Sequence, residues 1–484
     1  MNTCDPPRPE RPTPEDVRTC IAVLRLIEAD RSHLAHLTQE QRRDLLTLAG
    51  LVAKPERHDL VKLAKAFRRA ERAAARQRDQ QIIRGTGLRT QRRASRYTPL
   101  WLPEPATPGP VDGQPGLGQP LNCYICKQPF TLTHAYYDSL CRECGDFNYA
   151  KRAQTADLSG HYALITGARV KIGFQAALKL LRAGAHVIVT TRFPVDAAER
   201  YAQEPDYPRF RDRLQVHGLD LRHSPSVERF TGLLLGSLPR LDYLLNNACQ
   251  TVRRPAAFFA HLLARESTPV AALPAALQGP LAAHAALGGG LAAGTGHALL
   301  SHHDEELFPS QRYDQDQQQL DLRTTNSWRL RLHEVATAEL LEVHLVNAIA
   351  PYILNARLKP LMVATPGGHK HVVNVSAMEG QFYRTTKTER HPHTNMAKAA
   401  LNMMTRTSAT DYVRDGIHMN AVDTGWVTDE DPAHHAARKA EQGFAPPLDI
   451  IDGAARIVDP IFHGALTGSH VWGQFLKDYR PAPW

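Results

Sequence analysis

Aromatic residues are scarce in this 484-residue chain, at 7%, and only three of its seven cysteines (Cys4, Cys20 and Cys249) lie outside one cluster. Three scattered thiols do not make a disulfide framework, and they suit a reducing compartment. No apolar run is long enough to cross a bilayer, because the Ala/Gly-rich stretch near 270–300 is interrupted by prolines, histidines and a glycine triplet. The N-terminal MNTCDPPRPERP has no apolar core behind a basic segment, so neither a secretory signal nor a transit peptide is expected. Together these absences predict a cytoplasmic protein with no membrane partner. Excess charge is missing from most of the chain too, although the formal total is +9. Residues 51–100 carry fourteen Lys and Arg against four Asp and Glu, whereas residues 101–484 carry 37 of each sign. The basic balance therefore belongs to a short N-terminal stretch and says little about the larger body.

What is present divides into four segments: a basic helical region 1–96, a Pro/Gly linker 97–120, a cysteine module 121–150 and an α/β domain 151–484. Thr13-Pro14 places a capping hydroxyl before a proline at the first helical position, and Val17, Ile21, Leu24 and Ile27 follow at helical spacing. Thr38 to Gln41 reads as a capping box opening a second helix. A third helix, from near Pro55, sets Leu60, Leu63 and Phe67 on one face with seven Lys and Arg largely on the rest. That basic face suits a solvated small bundle, or a protein or nucleic-acid partner, though few aromatics support base stacking. Seven prolines between Tyr97 and Asn122 mark the linker.

Cys123-x2-Cys126 and Cys141-x2-Cys144, fourteen residues apart, let two tight turns bring four thiolates around one tetrahedral ion. Four thiolates leave no open position, and so short a module needs a metal to fold, which points to one structural Zn2+ rather than a redox dithiol or iron–sulfur site. The segment resembles zinc ribbons and treble-clef-like knuckles.

From residue 161, HYALITGARVKIG is a buried strand running into a glycine turn and a helix, and HVIVTTR follows as a second strand. This is the first βαβ unit of a dinucleotide fold, in which glycines let backbone amides approach a pyrophosphate. Here the chain resembles short-chain dehydrogenases/reductases, whose turn reads Thr-Gly-x-x-x-Gly-x-Gly. Thr166, Gly167 and Gly173 match it, with Arg169 and Ile172 inside the turn and Lys171 in place of the middle glycine. Further marks are Asp220 after the third strand, Asn246 and Ala248 with Cys249 replacing a glycine, Asn347 on the following helix, and Thr424-Gly425 where the family has Pro-Gly. The resemblance implies a Rossmann-type doubly wound parallel sheet. Arg192 ends the second strand with Arg169 nearby, so NADP(H) is expected over NAD(H).

The catalytic set is incomplete. Lys398 matches the family lysine that holds the cofactor ribose, but the tyrosine four residues earlier is Thr394, and the usual serine is Ala377, after Ser376. An alcohol's pKa lies too high for proton exchange near neutrality. His391, His393 and Tyr383 are therefore substitute acids to consider, His391 first because it stands seven residues before Lys398. The resemblance implies hydride transfer to or from a carbonyl, imine or activated C=C of a small molecule and leaves homo-oligomers open. The rival reading is a non-catalytic NADP(H)-binding sensor or scaffold that engages protein or nucleic acid. An insertion at about 253–335, with a mobile stretch near 267–300, is expected to serve as a lid, a specificity element or a spacer.

Overall fold

The computed structural model describes residues 12–94, 116–286, 302–383 and 387–484. The chain divides between Gln77 and Arg78 into two units. In the first, helices Pro14–Ala29 and Gln39–Ala53 both open with complete capping boxes, from Thr13 and Thr38. The helix beginning at Arg57 follows, and no residue of these three helices is buried. Most of the proline-rich linker lies outside the described residues.

The second unit is built on an eight-stranded sheet. Its strands are β3 (Tyr162–Thr166), β4 (His186–Thr191), β5 (Leu214–Gly218), β6 (Tyr243–Asn246), β7 (Lys370–Ser376), β8 (Ile417–Asp423), β9 (Phe475–Lys477) and β10 (Arg480–Ala482), ordered β10-β9-β8-β7-β6-β3-β4-β5. All pairs are parallel except β9 with β10. The central strands are nearly continuous apolar runs because helices cover both faces. Leu164 of β3 sits between Ile188 of β4 and Leu244 of β6. Strand order reverses at β3, so a crevice opens beyond the carboxyl ends of β3 and β6, where open α/β sheets bind ligands.

The insertion departs from the expected mobile stretch. Helix Ala275–Ala286 lies on edge strand β5, with Leu277, Leu281 and His284 buried at helical spacing, and the Gly218 amide donates to His284 Nδ1 at 3.3 Å. Covering that edge buries apolar surface, which orders a sequence rich in alanine and proline. Residues 287–301, the remainder of that stretch, lie outside the described residues.

The cysteine module is not a separate bead. Its hairpin, β1 (Leu121–Asn122) with β2 (Pro129–Phe130), and the helix Arg142–Ala153 share a core with Leu88, Val427, Leu448 and Ile451. Arg152, 3% exposed, donates to Asp449 at 2.7 Å and Asp452 at 3.0 Å, and the Tyr136 and Tyr137 hydroxyls donate to the same two carboxylates at 2.6 and 2.5 Å. Burial alone would raise the Asp449 carboxyl, but the Arg152 guanidinium holds it well below the usual range. Removing one partner of such a buried pair costs about 3–5 kcal/mol. Part of the basic run serves this interface: Arg89 pairs with Asp138 at 2.6 Å, and Arg92 donates to the Val427 and Leu448 carbonyls.

Candidate active site and cysteine centre

Gly167 has φ +66°, and a Cβ there would lie 2.8 Å from Ala248 Cα. At Gly173 a Cβ would lie 2.3 Å from Asn247 Nδ2 and 2.4 Å from the Gly167 carbonyl. The glycines therefore let the turn close onto the segment after β6. The Ala248 amide donates to the Thr166 hydroxyl at 3.0 Å, and Asn247 Nδ2 donates to the Thr166 carbonyl at 2.9 Å. Asn246 instead turns inward, donating at 2.8 Å to Asn355 and to Asn374. The turn opens into a cleft of about 650 Å³, lined among others by Gly167, Arg169, Lys171, Arg192, Asp220, Ala248, Ser376, Thr394 and Lys398. Amides at the start of helix Lys171–Arg182 border it, a ready site for a pyrophosphate.

Lys171 takes φ +56°, the left-handed backbone that explains why the resembled turn has glycine there. Its Nζ lies 3.8 Å from Asp316 of the insertion. Burial draws its pKa down, but Glu430, Asp316 and Asp314 more than reverse this and hold it above the ordinary lysine value. Arg169 pairs with Asp196 at 2.7 Å, and Arg222 with Asp220 at 2.5 Å. Arg192 differs: among the described residues it makes no hydrogen bond or ion pair and lies over the Phe259 ring at 4.4 Å. Burial and then the Arg222 cation draw its pKa down to about 10. The strand end thus presents to the cleft a cation that Asp220 and Glu342 oppose only from a distance.

At the catalytic end, Lys398 is 3% exposed and donates to the Val375 carbonyl at 2.8 Å. Ser376 Oγ donates to Asn402 at 2.6 Å, while the buried Thr394 hydroxyl has no hydrogen-bond partner among the described residues. Asn347 sits in a π-helical turn, Leu345–Ile349, and its side chain bonds the Gln250 amide and carbonyl at 3.2 and 2.9 Å. It therefore fixes the loop that carries Cys249; such bulges cluster at functional sites. Among the described residues the cleft is lined by no tyrosine and no histidine. His391 stacks on the cleft-lining Trp328 with ring centres 3.9 Å apart, His393 is buried near Glu339, and Tyr383 is 89% exposed. Gly425, with φ +76°, donates its amide to Asp423 at 2.6 Å, and the Trp426 amide donates to Tyr124 Oη.

Cleft residues that the sequence reading missed include Arg222, Glu379, Glu430 and Asp321. Only Arg222 carried a signal, two positions after Asp220. The others reach the cleft through the insertion, the turn after β7 or the loop after β8.

The four cysteines converge as their spacing required, each offering its sulfur within 4.8 Å of the others. Cys126 Sγ and Cys141 Sγ are 3.7 Å apart, close to the roughly 3.8 Å edge of a tetrahedron with Zn–S near 2.3 Å, and far beyond disulfide length. Burial raises the Cys123 thiol, but the amides of Cys141, Cys126 and Ile125 bring it down to about 7. The donor set fits a structural zinc ion.

The sequence profile described as short chain dehydrogenase matches residues 161–267, and that described as Enoyl-(Acyl carrier protein) reductase matches residues 324–444. An uncharacterized protein of Acanthamoeba polyphaga mimivirus is 34% identical over 367 residues, 73% of this chain and 74% of that protein. The WW domain-containing oxidoreductase of Drosophila melanogaster is 41% identical over 95 residues, 19% of this chain and 23% of that protein. Dehydrogenase/reductase SDR family member 13 of Bos taurus is 36% identical over 104 residues, 21% of this chain and 27% of that protein. The chain thus spans about a quarter of the length of those two curated relatives. A solved short-chain dehydrogenase from Streptomyces avermitilis aligns with TM-score 0.39 and 19% identity, covering 63% of this chain and 84% of that one. A putative short-chain alcohol dehydrogenase from Sinorhizobium meliloti gives 0.43 and 19%, covering 66% and 96%.

Proposed function

Because the chain belongs to the short-chain dehydrogenase/reductase superfamily, we propose that it is an NADP(H)-dependent oxidoreductase acting on a carbonyl, imine or activated double bond of a small molecule. The observation that carries the cofactor choice is Arg192, a half-buried cation just after β4 that forms no ion pair among the described residues. A 2′-phosphate would supply the missing charge, whereas an NAD ribose would leave it uncompensated. When bound, the nicotinamide supplies the hydride. The chain's residues would do the rest: the glycine turn would take the pyrophosphate, Lys398 would hold the ribose, and Asn347 fixes the loop that carries Cys249. Glu379 lines the same cleft as Lys398 and is our candidate for proton exchange. The cysteine module holds a structural Zn2+.

One observation favours a second reading. A cleft lined among the described residues by neither tyrosine nor histidine, with Ser376 committed to Asn402, suits a protein that binds NADP(H) without turnover. One comparison tests both. Arg192→Ala should weaken NADPH by about 10- to 100-fold, the worth of a charge-assisted bond, and leave NADH nearly unchanged in a fluorescence titration. Equal loss of both would sink the NADP assignment. Glu379→Gln should lower kcat on any carbonyl substrate that wild type turns over; no turnover across a carbonyl and enone panel supports the binding-only reading.

A further inference from the structure

The strongest cluster outside the cleft lies at the opposite, amino-terminal end of the sheet. His369 precedes β7, His371 is its second residue, and His470 sits in the segment between helix Ile450–Thr467 and β9. Their ring centres form a nearly equilateral triangle, 5.2 Å for His369 to His371, 5.0 Å for His369 to His470 and 5.3 Å for His371 to His470. A zinc ion 2.0–2.1 Å from each nitrogen lies about 3.2 Å from each ring centre, so three imidazoles at tetrahedral vertices stand about 5.2 Å apart. One nitrogen of each ring lies within 4.8 Å of the other two. For His371 Nε2 and His470 Nδ1 the separation is 3.2 Å, against about 3.3 Å for that tetrahedron's edge.

We propose that His369, His371 and His470 form a three-imidazole Zn2+ site. Ring packing with ordinary hydrogen bonds is the alternative, and it accounts for His369, whose Nε2 lies 3.1 Å from the Ile461 carbonyl and Nδ1 3.2 Å from Tyr243 Oη. Among the described residues it leaves the fully buried His371 with only another imidazole at Nε2. Ligation through His369 Nε2 displaces a bond to a carbonyl inside a helix, which keeps its ladder bond. The Nδ1 contact with Tyr243 then orients the ring, as outer partners of ligating histidines do. An all-nitrogen set suits zinc and excludes magnesium and calcium. His470 also lines a surface pocket with residues 471–474, and water would fill the fourth position. The ion would clip central strand β7 to the segment that delivers β9 to the sheet.

The test uses the full chain, loaded with zinc chloride, desalted and assayed for zinc by plasma emission, with thermal unfolding measured with and without added Zn2+. His470→Gln should hold about one equivalent less than wild type and lose the zinc-dependent rise in midpoint. Its midpoint without zinc should match wild type, which shows that the variant folds. Cys141→Ser should lose zinc separately and keep the rise, so failure of the four-thiolate site cannot imitate failure of this one. His33→Gln, an exposed histidine of the N-terminal unit, should change nothing. Wild-type zinc content and an unchanged midpoint rise in His470→Gln would overturn the proposal.

Discussion

The two halves of the sheet are equally regular but differ in how their polar residues are employed. On the β3–β6 side, Asn247 and Ala248 both bond Thr166 across the glycine turn, and Arg192, which makes no hydrogen bond or ion pair among the described residues, faces the cleft. On the β7–β8 side, Thr394 and His393 are buried with polar atoms unpartnered, and Ser376 is turned to Asn402. Backbone geometry carries nucleotide binding, while proton transfer depends on particular side chains. The fold can therefore keep the first without the second.

The largest effect should come from spoiling the half that is intact. Gly173→Val drives a side chain into Asn247 and the Gly167 carbonyl, where even a Cβ has only 2.3–2.4 Å. Overpacking there should cost about 3 kcal/mol and weaken NADPH by about 100-fold in a calorimetric titration. Undiminished affinity would mean that the turn does not hold the pyrophosphate, and the contrast between the halves would fail.

A second measurement compares one buried histidine from each side. Among the described residues, neither ring nitrogen of His217 of β5 or of His393 has a hydrogen-bond partner. Burial, then the neighbouring His284, lowers the His217 pKa to about 4; burial lowers His393 too, but Glu339 at 4.0 Å opposes this. Between pH 6.5 and 4 the unfolded imidazole binds a proton that folded His217 refuses, so stability falls as pH drops through that window. The loss from His217 should reach about 3 kcal/mol near pH 4. In urea unfolding at pH 7 and pH 4.5, His217→Leu should flatten the difference more than His393→Leu does.

The same division governs what the sequence could tell. The helix caps at Thr13 and Thr38, the glycine turn and the convergence of four cysteines are local or fixed-spacing features, and each could be read from the chain, whereas the parallel sheet followed only from the family resemblance. The course of the insertion could not. Helix Ala275–Ala286 is weakly amphipathic and becomes a helix through burial on β5, and Asp316 reaches Lys171 across 145 residues of sequence. Nor could the sequence tell that Arg89 and Arg92 serve the interior of the second unit, because a basic run looks the same whether it meets water, a ligand or carbonyl groups.

The smallest effect decides what Thr394 is. It stands where the resembled family has its tyrosine, 2% exposed, and its hydroxyl lines the cleft without a hydrogen-bond partner among the described residues. A buried hydroxyl without a partner costs free energy that an isosteric methyl does not. Thr394→Val should therefore stabilise the apo protein by about 1 kcal/mol in urea unfolding, with NADPH affinity unchanged. If the hydroxyl instead bonds substrate or cofactor during turnover, the same variant lowers kcat although it is more stable. That split between stability and rate would place proton handling back at the family position. An unchanged rate assigns it to Glu379 or, with no rate to measure, leaves the cleft as a binding site.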